Sequence, residues 1–582
     1  MTNLVKDLSV ELATLLVACI IGTYTFIGGL GATFYVSYFN TSVIYAIMLV
    51  FIVNVYHGSD DVDNPVGSFE RIYKHVSCVR GPSTNEGESF LTMSSHSGVM
   101  FGIINLVGNF GTVFVDQAHW QSSVAAKPKD GVWGFLIGGL LWFAIPFTFA
   151  TSMSLAYIAL STANGETLLS DDLVGQGLVP PVVAQRLMGK TGELIILMMI
   201  IMAVTTTGSA EVIAVTSILV YDVYQLYLKP YRLVHDANSC ILCGKSRGRN
   251  ANPRDKCVCI SMTSCPECAN DDAMWIDPKR ALKREYKCRT HGSFRNYNTY
   301  LRHVKNWCLV WTTASITPLT LVLNFVKVSL GWVYLFMGIL IGSAVVPIAL
   351  CMFWARLTGT AMISGAIGGT AVGLTVWLSV SASRPGGLEN FFENTGDEMS
   401  MLAGNVAAIL TGGLLTLVVS LVTNRHFDPS MAHEVWENTR DIDNPLSPWT
   451  EQYARELKLS GANQLDNRPE LAEVQRTFRG AKVAAYVGSI SLTVMLVIVW
   501  PAIMSFTGVM DSGQLTHWIR VSETWAIIAA IFIITMPVLS EAYEIVKARR
   551  EQRRVANGLT PEPKPSTDKP PEPCHSRGLE SR

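Results

Sequence analysis

Three stretches of this 582-residue chain gather side chains able to do chemistry, and the densest is a run of thiols. Cys240, Cys243, Cys257, Cys259, Cys265, Cys268 and Cys288 are followed by His291. Two C-x-x-C pairs, one C-x-C and one C-x-x-H are spacings that let thiolates and an imidazole converge on tetrahedral zinc. The chemistry predicted is structural Zn2+, one ion or two, holding a small module, because no ligand set is left open for catalysis. Unliganded or redox-sensing thiols are the competing use of the same residues.

The second stretch sets Asn105 and Asn109 among Gly102, Gly108 and Gly111, and continues through Thr112, Asp116 and Gln117. Amides beside glycines in mid-membrane let a helix unwind and present polar groups to a small polar solute. The same residues also serve close helix packing, with the amides bonding between helices. Asp116 and Gln117 read equally as a helix-end cap. The third stretch runs Ala203, Val204, Thr205, Thr206, Thr207, Gly208, Ser209, Ala210, Glu211. Hydroxyl oxygens suit an alkali cation, and a carboxylate in a membrane helix is costly unless it meets a cavity, a partner or a proton path. Hydroxyls that bond back one turn are the structural alternative, and Glu211 reads as a cation ligand, a proton site or a helix-end residue.

The elements that must position these groups are membrane helices. The chain is 49% hydrophobic and only 16% charged, with 45 basic against 46 acidic side chains. A soluble protein carries about a quarter charged residues, so the main solvent is lipid, and the balanced charge excludes a nucleic-acid surface. Apolar runs predict about eleven spans, near 9–28, 38–56, 98–116, 133–162, 192–222, 307–329, 331–354, 358–381, 403–424, 483–507 and 523–543. The organisation expected is membrane helices over 1–222, a basic Cys-rich loop over 223–306, helices over 307–424, an amphipathic segment over 425–482 with Trp436 and Trp449, helices over 483–545 and a disordered tail over 546–582.

Segment 223–306 has 16 Lys and Arg against 7 Asp and Glu, and the tail opens with Lys547, Arg549 and Arg550, so both are expected in the cytoplasm. The acidic segments with Asp60, Asp61, Asp63 and with Glu389, Glu393, Asp397, Glu398 then fall outside, as does Met1. A reducing cytosol disfavours disulfides in the Cys-rich loop. No phosphate-binding Gly-Lys-Ser/Thr motif is present, which argues against an ATP-driven pump. Gly338, Gly342, Gly365 and Gly369 read as helix-packing faces, and the sequon Asn40-Thr41-Ser42 falls at the end of a span, where it should go unused.

Gly22-Thr23-Tyr24-Thr25-Phe26-Ile27-Gly28-Gly29-Leu30-Gly31-Ala32, the stretch Asn105 to Gln121, Trp142-Phe143-Ala144-Ile145-Pro146 and the stretch Gly338 to Pro347 resemble the sodium:solute symporter superfamily. Val107-Gly108-Asn109-Phe110-Gly111-Thr112-Val113-Phe114, and the Cys-rich loop followed by Lys305-Asn306-Trp307-Cys308, are similar to its urea-proton symporter branch. The resemblance implies an all-α, LeuT-like bundle of two inverted five-helix repeats in the plasma membrane, moving urea with a proton or sodium gradient. It also implies a substrate asparagine eight residues before Gln117, which is Asn109, and a cation site at Ala203, Thr206 and Thr207, where relatives carry Ala-x-x-Ser-Ser.

The same resemblance implies about four further spans before the Gly-Thr-Tyr-Thr stretch, so the chain is expected to be N-terminally incomplete. The competing expectations are a sodium-coupled carrier of another small solute, a polyamine or carboxylate, and a truncated membrane protein that does not transport. Oligomeric state is left open by the sequence.

Overall fold

The computed structural model describes every residue except 1–7, 59–63, 127, 233–238, 247–252, 263–264, 275–285, 442–470 and 557–582. Asp60, Asp61, Asp63, Trp449 and the Pro-rich tail lie outside the described residues. Among the described residues all regular elements are helical, apart from isolated single-pair bridges.

Among the described residues, ten helices are long and apolar enough to cross a membrane: α1 (Val10–His57), α2 (His96–Val115), α3 (Asp130–Asn164), α4 (Val179–Leu228), α5 (Gly292–Phe325), α6 (Leu330–Phe353), α7 (Gly359–Ala382), α8 (Glu398–Thr423), α9 (Arg479–Ser505) and α10 (Ser512–Arg550). Short polar residues start several of them. The Ser9 side chain accepts from Leu12 N–H at the head of α1, Ser95 from Gly98 in α2, Thr358 from Ala361 in α7, and Asp397 from Met399 and Ser400 in α8. Each cap satisfies an amide that the helix itself cannot.

The count differs from the expected eleven because spans 9–28 and 38–56 are joined in the 48-residue α1. Gly29 divides that helix with φ 56° and ψ −154°, a conformation open to glycine and costly for other residues. The two legs return to one level of α4. Tyr24 on the first leg donates its hydroxyl to the Thr205 carbonyl at 2.5 Å, and Asn40 on the second donates to Thr206 Oγ1 at 2.8 Å.

A second difference concerns α5, which begins at Gly292, inside the segment read as loop. Arg295, Arg302 and Lys305 lower its hydropathy there without interrupting the backbone ladder, so composition misplaces the boundary while the helix simply continues out of the membrane.

Two packing units form the bundle. The larger core joins α1, α3, α4 and α10 through Tyr45, Met48, Phe51, Met153, Ile196 and Ile519. Polar ties cross it: Thr148 donates to the Ser522 carbonyl at 2.8 Å and Trp525 to the Leu140 carbonyl at 2.9 Å. The smaller unit joins α2, α6, α7 and α8 around Ile104, Ile339, Trp377 and Met401. Small residues let its backbones approach closely. A Cβ built on Gly369 would lie 2.7 Å from the Gly412 Cα, and one on Gly412 would lie 2.2 Å from the Ser343 carbonyl oxygen. This is how membrane helices gain contact when lipid supplies little hydrophobic driving force. Helix α9 packs on α3 at the rim, with no buried residue of its own.

Candidate functional site

The hydroxyl run of α4 divides into two sets. Thr205 Oγ1 donates back to the Ile201 carbonyl at 2.8 Å and Ser209 Oγ to the Thr206 carbonyl at 2.9 Å, the usual way a helix satisfies a buried hydroxyl. Ala203, Thr206 and Thr207 face the other way, into a cavity of about 760 Å³ bounded by α1, α3, α4 and α10. Ser37, Tyr38 and Thr41 from α1 add hydroxyls to its wall, while Trp133, Trp142 and Phe532 supply an apolar side. The cavity therefore offers converging oxygens opposite aromatic surface, a combination suited to a small polar solute or a partly dehydrated cation.

Asn40 and Tyr24 of α1 bond the same turn of α4 behind this cavity, roles that the sequence did not assign to them. Asn40 is 6% exposed, and its amide donates to Thr206 Oγ1, with Thr205 Oγ1 at 3.5 Å and the Met202 carbonyl at 3.4 Å. Its only sequence signal is a lone amide inside an apolar run, read there as part of a sequon. That amide is instead turned into the bundle.

Asn105 and Asn109 are brought together elsewhere, on the outer part of the α2–α6 contact. Asn109 Nδ2 donates to Asn105 Oδ1 at 3.1 Å, and the Tyr334 hydroxyl bonds Asn105 Oδ1 and lies 3.2 Å from Asn109 Oδ1. Thr112 bonds back to the Gly108 carbonyl at 3.1 Å. These residues do not line the large cavity. One turn below, a Cβ added to Gly338 would meet Asn405 Oδ1 at 2.1 Å and Gly108 Cα at 3.1 Å, so the amide pair sits over a tight glycine crossing.

Asp116 separates α2 from the short helix Gln117–Ala125 and accepts the Ala118 N–H at 2.8 Å, a cap; it also pairs with His119 Nδ1 at 3.1 Å. Gln117 is the first residue of that helix. Glu211 of α4 neighbours Asp116 and interacts with it directly. The end of α2 and the third polar stretch therefore meet through two carboxylates and an imidazole, groups able to hold and pass a proton.

In the loop the eight predicted ligands sort into two groups, Cys240, Cys243, Cys257, Cys259 and Cys265, Cys268, Cys288, His291, with the ligand atoms of each group within 4.8 Å of one another. The described cysteines form no disulfide. Burial pushes the Cys259 thiol up to about 11 and that of Cys268 up to about 12, whereas a hydrogen bond from Cys257 holds Cys240 down at about 4. Thiols this close titrate together, so one ionised sulfur suppresses its neighbours.

Packed apolar helices of membrane length, with polar breaks inside them and a largely apolar cavity carrying a few hydroxyls, define a multi-pass membrane protein. Residues 2–233 match the sodium:solute symporter family. The chain is 32% identical to the urea-proton symporter DUR3 of Oryza sativa subsp. japonica over 94% of its own length and 64% of that protein's. It is 28% identical to the probable urea active transporter 1 of Schizosaccharomyces pombe, over 90% of this chain and 66% of the relative. To the urea active transporter of Saccharomyces cerevisiae it is 30% identical, over 72% and 48%. These matches make the chain similar to the sodium:solute symporter family. It spans between 48% and 66% of the three relatives' lengths. No solved structure matches it.

Proposed function

We propose that this chain carries urea across the plasma membrane, driven by a proton or sodium gradient, within a LeuT-like arrangement of inverted repeats. The observation that carries the reading is the identity to a urea-proton symporter along nearly the whole chain. The geometry supports it. Urea is neutral, planar and able to donate and accept at once, and Asn105, Asn109 and Tyr334 offer both roles without a fixed charge. Thr206 and Thr207, facing the cavity beside Ala203, are the oxygens that would hold a coupling sodium ion. Asp116, His119 and Glu211 are the groups that would take a coupling proton. In the same reading the Cys-rich loop is cytoplasmic and stapled by zinc, a structural metal remote from the transported solute.

The test is flux of labelled urea into proteoliposomes bearing the purified chain, with proton and sodium gradients imposed separately. Gradient-driven uptake that unlabelled urea competes away is the expected result. Uptake displaced by a polyamine or carboxylate but not by urea transfers the reading to another solute, and no uptake above empty liposomes overturns transport by this chain.

A further inference from the structure

The two ligand groups in the loop differ in chemistry and in what they are attached to. In the first, Cys240 and Cys243 flank a tight turn closed by Gly244 N–H to the Cys240 carbonyl at 2.7 Å, with Gly244 at φ 77°. The backbone then returns through Cys257 N–H to the Ser246 carbonyl at 2.8 Å, bringing Cys257 and Cys259 to the same point. Its backbone connections are local, while Cys240, Leu242 and Cys257 share a buried cluster with Phe294 from the first turn of α5.

The second group is built on the membrane bundle. Cys265 and Cys268 stand at the start of the short helix Pro266–Met274, while His291 immediately precedes the first residue of α5. Asp271 of the short helix accepts the N–H groups of Lys287 and Cys288 at 3.0 and 2.9 Å, fixing the strand that leads into α5. His291 is fully buried, and its Nε2 lies 2.9 Å from the Ile260 carbonyl. A carbonyl accepts only, so Nε2 carries the proton and Nδ1 presents its lone pair to Cys268 Sγ at 3.4 Å and Cys288 Sγ at 3.6 Å. That is the outer-sphere arrangement of a metal-binding imidazole.

The separations fit one ion per group. Tetrahedral zinc with Zn–S of about 2.3 Å and Zn–N of about 2.0 Å sets S···S at ~3.8 Å and S···N at ~3.5 Å. Cys265 and Cys288 sulfurs are 3.8 Å apart, those of Cys243 and Cys257 3.5 Å, and the sulfur-to-imidazole distances are those just given. A disulfide needs about 2.0 Å between sulfurs.

We infer that the loop holds two zinc ions with unequal roles: a four-thiolate ion that staples the loop tip and backs Phe294 from outside, and a Cys3His ion that builds the entry turn of α5 itself. The inference rests on reading the loop as a zinc module. The first turns of α5 carry the contact with α4. Tyr297 donates to the Lys229 carbonyl at 2.6 Å, the hydroxyls of Tyr224 and Tyr300 are 2.6 Å apart, and the Tyr231 ring packs edge-on against Phe294. Farther along, α5 meets α1 and α4 through Leu309 with Ile21 and Val212, one turn from the hydroxyl run. Loss of the Cys3His ion frees the first turn of α5; loss of the four-thiolate ion removes only the packing on Phe294 and loosens that turn less.

The experiment is metal analysis of the full chain purified in detergent, combined with hydrogen exchange over residues 292–300. Two zinc ions per chain are expected. The C243S/C259S variant should keep one ion and raise exchange at 292–300 by no more than about twofold, while C265S/C268S should keep one ion and exchange there about tenfold faster. If C265S/C268S fails to fold, stepwise chelation of the unaltered chain replaces it, with exchange at 292–300 rising much more on loss of one ion than of the other. No bound zinc overturns the zinc reading itself. One ion per chain, or two ions whose removal leaves 292–300 equally protected, overturns the division of roles while sparing that reading.

Discussion

The Cys-rich loop and the membrane cavity are both polar centres, yet they are assembled across very different spans of chain. In the loop, Cys268 reaches His291 across 23 residues. In the bundle, Asn40 reaches Thr206 across 166 residues and Thr148 reaches Ser522 across 374. A site closed over short distances pays little loop entropy, so its ligand spacing nearly defines it. A site made by helices from opposite ends of the chain exists only where their faces pack, and backbone clearance decides whether they do.

The largest effect should therefore come from a substitution far from any polar group. Gly412→Val places a side chain against the Ser343 backbone, which cannot yield as a flexible side chain does. The chain should fail to accumulate as a monodisperse species in detergent, and normal size-exclusion behaviour with an unchanged melting temperature would contradict the packing described for α7, α8 and the start of the second half of α6.

Asn40→Leu tests the joint between α1 and α4. It removes the donor to the Thr206 hydroxyl and supplies no equivalent one, so about 1 to 3 kcal/mol of stability should be lost. Combining it with Thr206→Val should cost less than the two single losses added, because the pair acts as a unit. Strict additivity in thermal unfolding would show that α1 and α4 are not joined there.

Asn109→Ala acts on the amide pair at the α2–α6 contact. Removing one partner should weaken urea uptake chiefly through apparent affinity, by roughly fivefold or more at a cost of about 1 kcal/mol. Unchanged uptake at normal protein level would remove Asn109 from the site. Thr206→Val with Thr207→Val keeps shape and deletes two oxygens, so the sodium or pH dependence of uptake should shift while folding is largely retained; an unaltered ion dependence leaves both as packing residues.

The smallest effect is expected at the membrane cysteines. Cys351→Ser changes an exposed thiol that belongs to neither ligand group, and zinc content should remain that of the parent. A loss of metal there would extend the ligand sets beyond the loop.

Residue types and spacing by themselves determined that this chain lives in a bilayer, that its elements are helices, and that eight ligands in the loop belong together. Those properties follow from local chemistry: apolar runs of membrane length, and thiols a few residues apart. The separation of Thr205 and Ser209 from Thr206 and Thr207 was also half legible, since helical spacing puts them on different faces. Only the tertiary structure decided which of these side chains gather into one group, because the choice between Cys259 and Cys265 as fourth member depends on how Asp271 ties the short helix to Cys288. It alone brought Asn40 and Tyr334 to the polar groups and kept Asn105 and Asn109 out of the large cavity. Those placements depend on where one helix face meets another, and a polar residue in an apolar run carries no record of the partner that packing will give it.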